Sequence, residues 1–159
     1  MHTHFIICLI LFSTTFLFAY FILFYSFFSF HYIWPCFWVM GSLKVISYNV
    51  KGLHSPIKRK KIINQLKRNS CQIAFLQETH LSNKEHKKLK KSWADKVFYS
   101  SNSCGWKRGV SILIHRQVNF TSTKIHKDSA GRFIMVNGLI NGVEVCLLNI
   151  YSTNKQGWA

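Results

Sequence analysis

Residues 73–80 read Ile-Ala-Phe-Leu-Gln-Glu-Thr-His. An unbroken apolar run this short marks a strand buried on both faces, as in a parallel or mixed sheet. Such a strand commits the chain to an α/β architecture. In open α/β sheets the reacting groups gather at the carboxyl ends of the strands, and Glu78 stands at that end. A carboxylate there is costly unless something positive meets it. A divalent cation would do so, and so would a lysine or water.

The flanking sequence supplies the partners of this strand. Residues 43–49 alternate, with Leu43, Val45 and Ser47 on one face, and end at Asn49. Gly52 marks a turn. Ser55-Pro56 then opens a helix, with Ser as cap and Pro at the first helical position. The helix is predicted to about residue 69, with Ile62, Ile63 and Leu66 inward and most lysines outward. Strand, helix and strand form a crossover unit, expected to be parallel. Asn49 and Glu78 should then share one edge of the sheet.

Further on, residues 82–85 form a capping box, Ser-Asn-Lys-Glu, opening a short helix to about residue 91. Strands are predicted over 96–100, 110–114, 120–126, 132–140 and 143–151. The last two flank Asn141-Gly142, a strong hairpin signal. The loop 101–108 lacks the Gly-Lys-Ser/Thr of a phosphate-binding loop.

Charge divides the chain at residue 40. All 21 Lys and Arg and all five Asp and Glu lie from Lys44 onward. The formal charge of +16 therefore belongs to 41–159, a single small domain. Such an excess favours polyanions, either nucleic acid or an anionic membrane surface. Residues 5–30 carry no charge and exceed the roughly 20 residues that cross a bilayer as a helix. Trp34 and Trp38 follow where interfacial aromatics would sit, and the basic run would hold the C-terminal side in the cytoplasm. A basic n-region and a clear cleavage site, the marks of a signal peptide, are missing. Two readings of 1–40 stand: an apolar transmembrane helix, or an upstream extension ahead of an original start at Met40, in which case the protein is intracellular and nuclear. Five scattered cysteines without CxxC pairs argue against a disulfide framework and against zinc.

Four blocks then occur in order: Ser47-Tyr48-Asn49-Val50-Lys51-Gly52, Leu76-Gln77-Glu78-Thr79-His80, Arg108-Gly109-Val110-Ser111-Ile112-Leu113-Ile114 and Asn149-Ile150-Tyr151-Ser152-Thr153-Asn154. Together they resemble the exonuclease–endonuclease–phosphatase superfamily, and most of all the apurinic-type endonuclease domain of LINE retrotransposon polyproteins. The resemblance covers residues 42 to about 154. It implies the N-terminal half of a four-layer α/β sandwich, with mixed sheets face to face and helices outside, preceded here by the apolar helix. It implies a Mg²⁺-dependent DNA endonuclease that hydrolyses a phosphodiester. By position, Glu78 resembles the metal-binding Glu, and Asn49 the residue that orders the metal. Tyr151 resembles the contact to the scissile phosphate, and Asn154 a nearby DNA contact. His80 is expected at the DNA edge and Gln77 at the rim of the site. Local alternatives exist: Asn49 as a strand-ending side-chain turn, and Tyr151 as an ordinary strand aromatic.

The family completes its site with a Gly-Asp-x-Asn segment, a further Asp and a terminal Ser-Asp-His. None occurs in these 159 residues, whose two aspartates, Asp95 and Asp128, sit in no such context, and the family's Ala-Pro after the Tyr is Ser152-Thr153. A site that acts as a unit loses nearly all its rate when several members are missing, so the chain alone is expected not to cleave DNA. One sheet is also expected to lose its partner face and stay exposed. Three functions are open: the endonuclease half, a non-catalytic nucleic-acid-binding remnant, and a membrane-anchored phosphoesterase.

Overall fold

The computed structural model describes residues 5–12, 23–24, 43–102 and 108–152. In chain order the elements are β1 (Phe5–Phe12), β2 (Leu23–Phe24), β3 (Val45–Asn49), α1 (Pro56–Arg68), β4 (Ile73–Gln77), α2 (Asn83–Ser92), β5 (Ala94–Ser100), β6 (Val110–His115), β7 (Phe120–Lys127), β8 (Phe133–Ile140) and β9 (Val143–Ser152).

The crossover expected from the sequence is present. β3 and β4 pair in parallel, with Asn49 opposite Gln77, and α1 connects them. Ser55 occupies the cap position without a side-chain bond, and Pro56 opens the helix. The Ser82–Glu85 capping box starts α2 with both of its reciprocal bonds formed. β4 lies inside a mixed sheet of order β3-β4-β6-β5. A second sheet, of order β2-β1-β9-β8-β7, is antiparallel. Its β8–β9 hairpin turns on Asn141 (φ 49°) and Gly142 (φ 84°). Two consecutive left-handed residues make the turn whose twist matches a two-residue hairpin.

The continuous apolar run of β4 follows from its position, since every residue of the strand is buried. Ile73 and Phe75 face the second sheet, joining Ile112, Val136 and Leu147. Ala74 and Leu76 face the helices, joining Ile63, Leu66 and Leu89. Removing a ring such as Phe75, which is fully buried, would cost about 3–5 kcal/mol.

Three expectations are corrected. The apolar leading helix is not found where the leader is described. Phe5–Phe12 is instead a strand, paired antiparallel along its whole length with Val145–Ser152. An unpaired β9 edge would leave a row of N–H and C=O groups open. A run of Phe, Ile and Leu has the β-propensity to occupy it. Among the described residues no helix is long and apolar enough to cross a membrane; of the 5–30 span, Leu23–Phe24 is also strand, and 13–22 and 25–30 lie outside the described residues. Second, neither sheet loses its partner face, because the inner faces of the two sheets pack on each other. Third, of the four layers, three are seen among the described residues: helices, mixed sheet and antiparallel sheet. The outer face of the antiparallel sheet carries half-buried Met135, Leu139, Leu148 and Ile150.

Candidate active site

The topology brings Asn49 and Glu78 together, as the crossover requires. Pairing continues past the strand ends. Val50 N donates to Gln77 O (2.9 Å), Gly52 N to Glu78 O (2.7 Å) and Leu53 N to Thr79 O (2.8 Å). On the other side Thr79 N donates to Gly109 O (3.0 Å) and His80 N to Arg108 O (2.8 Å). Residues 78–80 are thus clamped between two loops. The clamp holds non-glycine residues in the left-handed region: Lys51 (φ 45°), Glu78 (53°), His80 (53°) and Arg108 (71°). Each costs about 1–2 kcal/mol that surrounding bonds must offset, and such strain gathers at functional sites. Gly109 makes the close approach there. A Cβ on it would lie 2.5 Å from Thr79 Oγ1, at a φ of +107°.

Asn49 Nδ2 donates to Glu78 Oε1 at 2.7 Å. The amide oxygen of Asn49 accepts from Lys51 N at 3.1 Å, which fixes the amide's orientation. Asn49 therefore presents its NH₂ to the carboxylate, and its position suits holding Glu78 better than ligating a cation. The Tyr151 phenol bonds the Glu78 side chain as well. Burial first, then the charge of Glu78 and that bond, push the phenol up to about 12, while Arg108 pulls the other way. Tyr151 is a neutral donor across the physiological range. His80 Nε2 lies 3.9 Å from Glu78 Oε2. Burial is the largest cause; Glu78 opposes it, and with the smaller effects of His54 and Lys58 the His80 pKa falls below its ordinary value. His80 is therefore uncharged near neutral pH, and its contact with Glu78 is not an ion pair there.

The structure places Gln77 differently from expectation. It is fully buried rather than on the rim. Its Nε2 donates to Asn149 Oδ1 at 2.7 Å and to Ser47 Oγ at 3.1 Å. Asn149, also fully buried, then donates to Leu76 O (3.1 Å) and Ser111 O (2.8 Å). This amide staples β9 to β4 and β6 directly beneath Glu78 and Tyr151. The sequence signal for Asn149 is a polar residue within an apolar strand, two before Tyr151. Asn154 lies outside the described residues.

A second polar cluster flanks the site. Thr79 Oγ1 lies 3.1 Å from His86 Nε2, and His86 Nδ1 lies 3.1 Å from Ser82 O. A carbonyl can only accept, so Nδ1 carries the proton and Thr79 donates to Nε2. Burial holds His86 down at about 4. It stacks on Tyr99 with ring centroids 4.4 Å apart.

Among the described residues no group of three or more His, Cys, Asp and Glu side chains could hold a metal. A single carboxylate fits another mode. Mg²⁺ commonly binds through one or two carboxylates and completes its shell with water and phosphate oxygens.

No family model matches the chain. Solved structures similar to it include a truncated Caenorhabditis elegans TDP2, at 22% identity and a TM-score of 0.46, covering 73% of this chain and 49% of that one. Selenomethionine TDP2 from the same organism matches at 22% identity and a TM-score of 0.46, covering 74% of this chain and 38% of that one. The chain thus spans about half or less of the length of these structures.

Proposed function

We propose that this chain carries one half of the site of a Mg²⁺-dependent DNA phosphodiesterase of the exonuclease–endonuclease–phosphatase type, with LINE-type nicking as the specific reaction. The observation that supports this most is the bond from Asn49 to Glu78 at 2.7 Å, on an edge that also delivers Tyr151. Glu78 would hold the cation. When bound, Mg²⁺ would neutralise charge developing on the phosphoryl group. Asn49 keeps the carboxylate oriented. Tyr151, protonated throughout, would turn its one O–H from Glu78 to a phosphate oxygen once the cation takes the carboxylate. Arg108, close enough to act on the Tyr151 phenol, adds positive charge where a phosphate would sit. His80, neutral beside Glu78, lines the DNA edge.

Glu78 is the carboxylate on which the described site rests, and no second acid joins it. These residues bind and orient; turnover needs groups beyond them. The test is duplex-DNA binding by the full chain, by fluorescence anisotropy with Mg²⁺ and with a chelator. Mg²⁺ should tighten binding, and Glu78→Gln should remove the gain. Equal tightening in Glu78→Gln would favour the second reading, a non-catalytic nucleic-acid-binding chain, which the lone carboxylate also supports. Plasmid nicking by the chain alone should stay at background.

A further inference from the structure

The outer helical layer holds a groove that the Glu78 site does not use. It has a volume of about 380 Å³ and lies between α1 and α2, lined by Arg59, Lys60, Ile63, Lys67, Lys88 and Leu89, among others. On α1 the lining positions recur every three or four residues, so they form one stripe along the helix. Arg59 and Lys67 are eight positions apart, about 12 Å along the axis. The floor is apolar and recessed: Ile63 and Leu89 are 4% and 2% exposed. The walls are cationic, with Lys60, Lys67 and Lys88 all exposed. Arg59 reaches across to Glu85 in a salt bridge, with Nη1 3.6 Å from Oε1. That buried nitrogen has no hydrogen-bond partner. Glu85 is the sole acid in either helix.

We infer that this groove is a docking surface for the phosphodiester backbone of a nucleic acid, separate from the Glu78 site. Charge complementarity selects the occupant. A line of cations over a recessed floor matches a ridge of regularly spaced phosphates. A membrane surface would call for a continuous protruding apolar face, whereas Ile63 and Leu89 are sunk between the helices. Asn64, also in the lining, adds an amide donor suited to a phosphate oxygen. The groove lies beyond the face of the mixed sheet that packs on α1 and α2, so its contacts do not depend on the carboxylate. It gives the chain a sequence-independent hold on a strand.

The experiment compares two charge-matched triple variants of the full chain binding a duplex DNA oligonucleotide over a salt series, without divalent metal. One is Lys60→Gln, Lys67→Gln and Lys88→Gln. The other is Arg116→Gln, Lys124→Gln and Lys127→Gln, exposed cations of the β6–β7 side. The groove triple should lose affinity at least about tenfold and flatten the log–log salt slope by about 2–3, near 0.9 for each lost phosphate contact. The control triple should change by less than about threefold, since its cations lie off the stripe. Replacing the groove lysines by arginine should keep the affinity, and the helical circular dichroism of all variants should match. Equal losses in both triples would overturn the inference, because bulk charge would explain them. Groove-dependent capture by phosphatidylserine vesicles that exceeds capture by DNA would overturn it in favour of lipid. Glu78→Gln should leave the groove effect intact, so failure here and failure of the active-site reading are separable.

Discussion

Glu78 and Asp128 are buried to the same degree, with 14% and 11% of their side chains exposed. Their surroundings have little in common. Asp128 is closed. Its Oδ1 accepts from the backbone N–H groups of Arg132 (2.8 Å) and Phe133 (3.1 Å) and from Ser100 Oγ (3.0 Å). Its Oδ2 accepts from Arg132 Nε at 3.0 Å. These bonds lock the turn between β7 and β8, and Arg132 O in that turn accepts from Tyr151 N. Among the described residues Glu78 is held by side chains: the Asn49 amide, the Tyr151 phenol, and a neutral imidazole at 3.9 Å. Exposure does not separate the two acids. The donors do. Backbone N–H groups fix a carboxylate to the fold, whereas side-chain donors can yield to a cation or a phosphate.

The largest effect that could break this contrast is on stability. Asp128→Ala leaves two backbone donors and an arginine unmet, and should cost about 3 kcal/mol in urea unfolding. Glu78→Gln should stay within about 1 kcal/mol, because the amide oxygen still accepts from Asn49 and the amide NH₂ can donate to the Tyr151 phenol oxygen. Equal losses would make both acids structural. Next, Gly109→Ala should cost about 2 kcal/mol through its positive φ and the Thr79 clash. It should also weaken Mg²⁺-linked DNA binding, because the loop it distorts clamps residues 78–80. Unchanged linkage would show that the clamp does not position Glu78.

Asn49→Ala tests the orienting bond. Residues that hold a metal ligand typically contribute 10–100-fold in affinity, so a loss of about tenfold in Mg²⁺ affinity is expected, with little change in melting temperature. The smallest effect is on pH dependence. Burial would raise the Asp128 carboxyl, but bonds from Phe133, Arg132 and Ser100 outweigh it and hold the pKa below the ordinary value. A depressed folded pKa gives stability that is present above the unfolded value, about 3.9. That stability is lost as pH falls through the lower folded value. Melting temperature should fall more steeply with acidification in the native chain than in Asp128→Ala. Parallel curves would contradict the role given to this turn.

The crossover that positions Glu78 was legible in the sequence, because periodicity, Ser55-Pro56 and the capping box are local signals. The pairing of Asn49 with Glu78 followed from that topology. Two things were not legible. The buried Gln77–Asn149 bond joins residues on different sheets, so no spacing along the chain reports it. The strand at Phe5–Phe12 is not legible because an unbroken apolar run fits helix and strand alike. What decides it is the open edge of β9, well over 100 residues further along the chain. The role of Asp128 is legible only in part: Arg132 and Phe133 belong to its own turn, four and five residues on, whereas Ser100 Oγ on β5 reaches it only once the strands assemble.

The most direct measurement is Mg²⁺ binding by titration calorimetry on three chains: native, Asp128→Asn and Glu78→Gln. The account predicts a single weak site in the native chain, retained in Asp128→Asn and absent in Glu78→Gln. Retention in Glu78→Gln, or loss in Asp128→Asn with the fold intact, would contradict it.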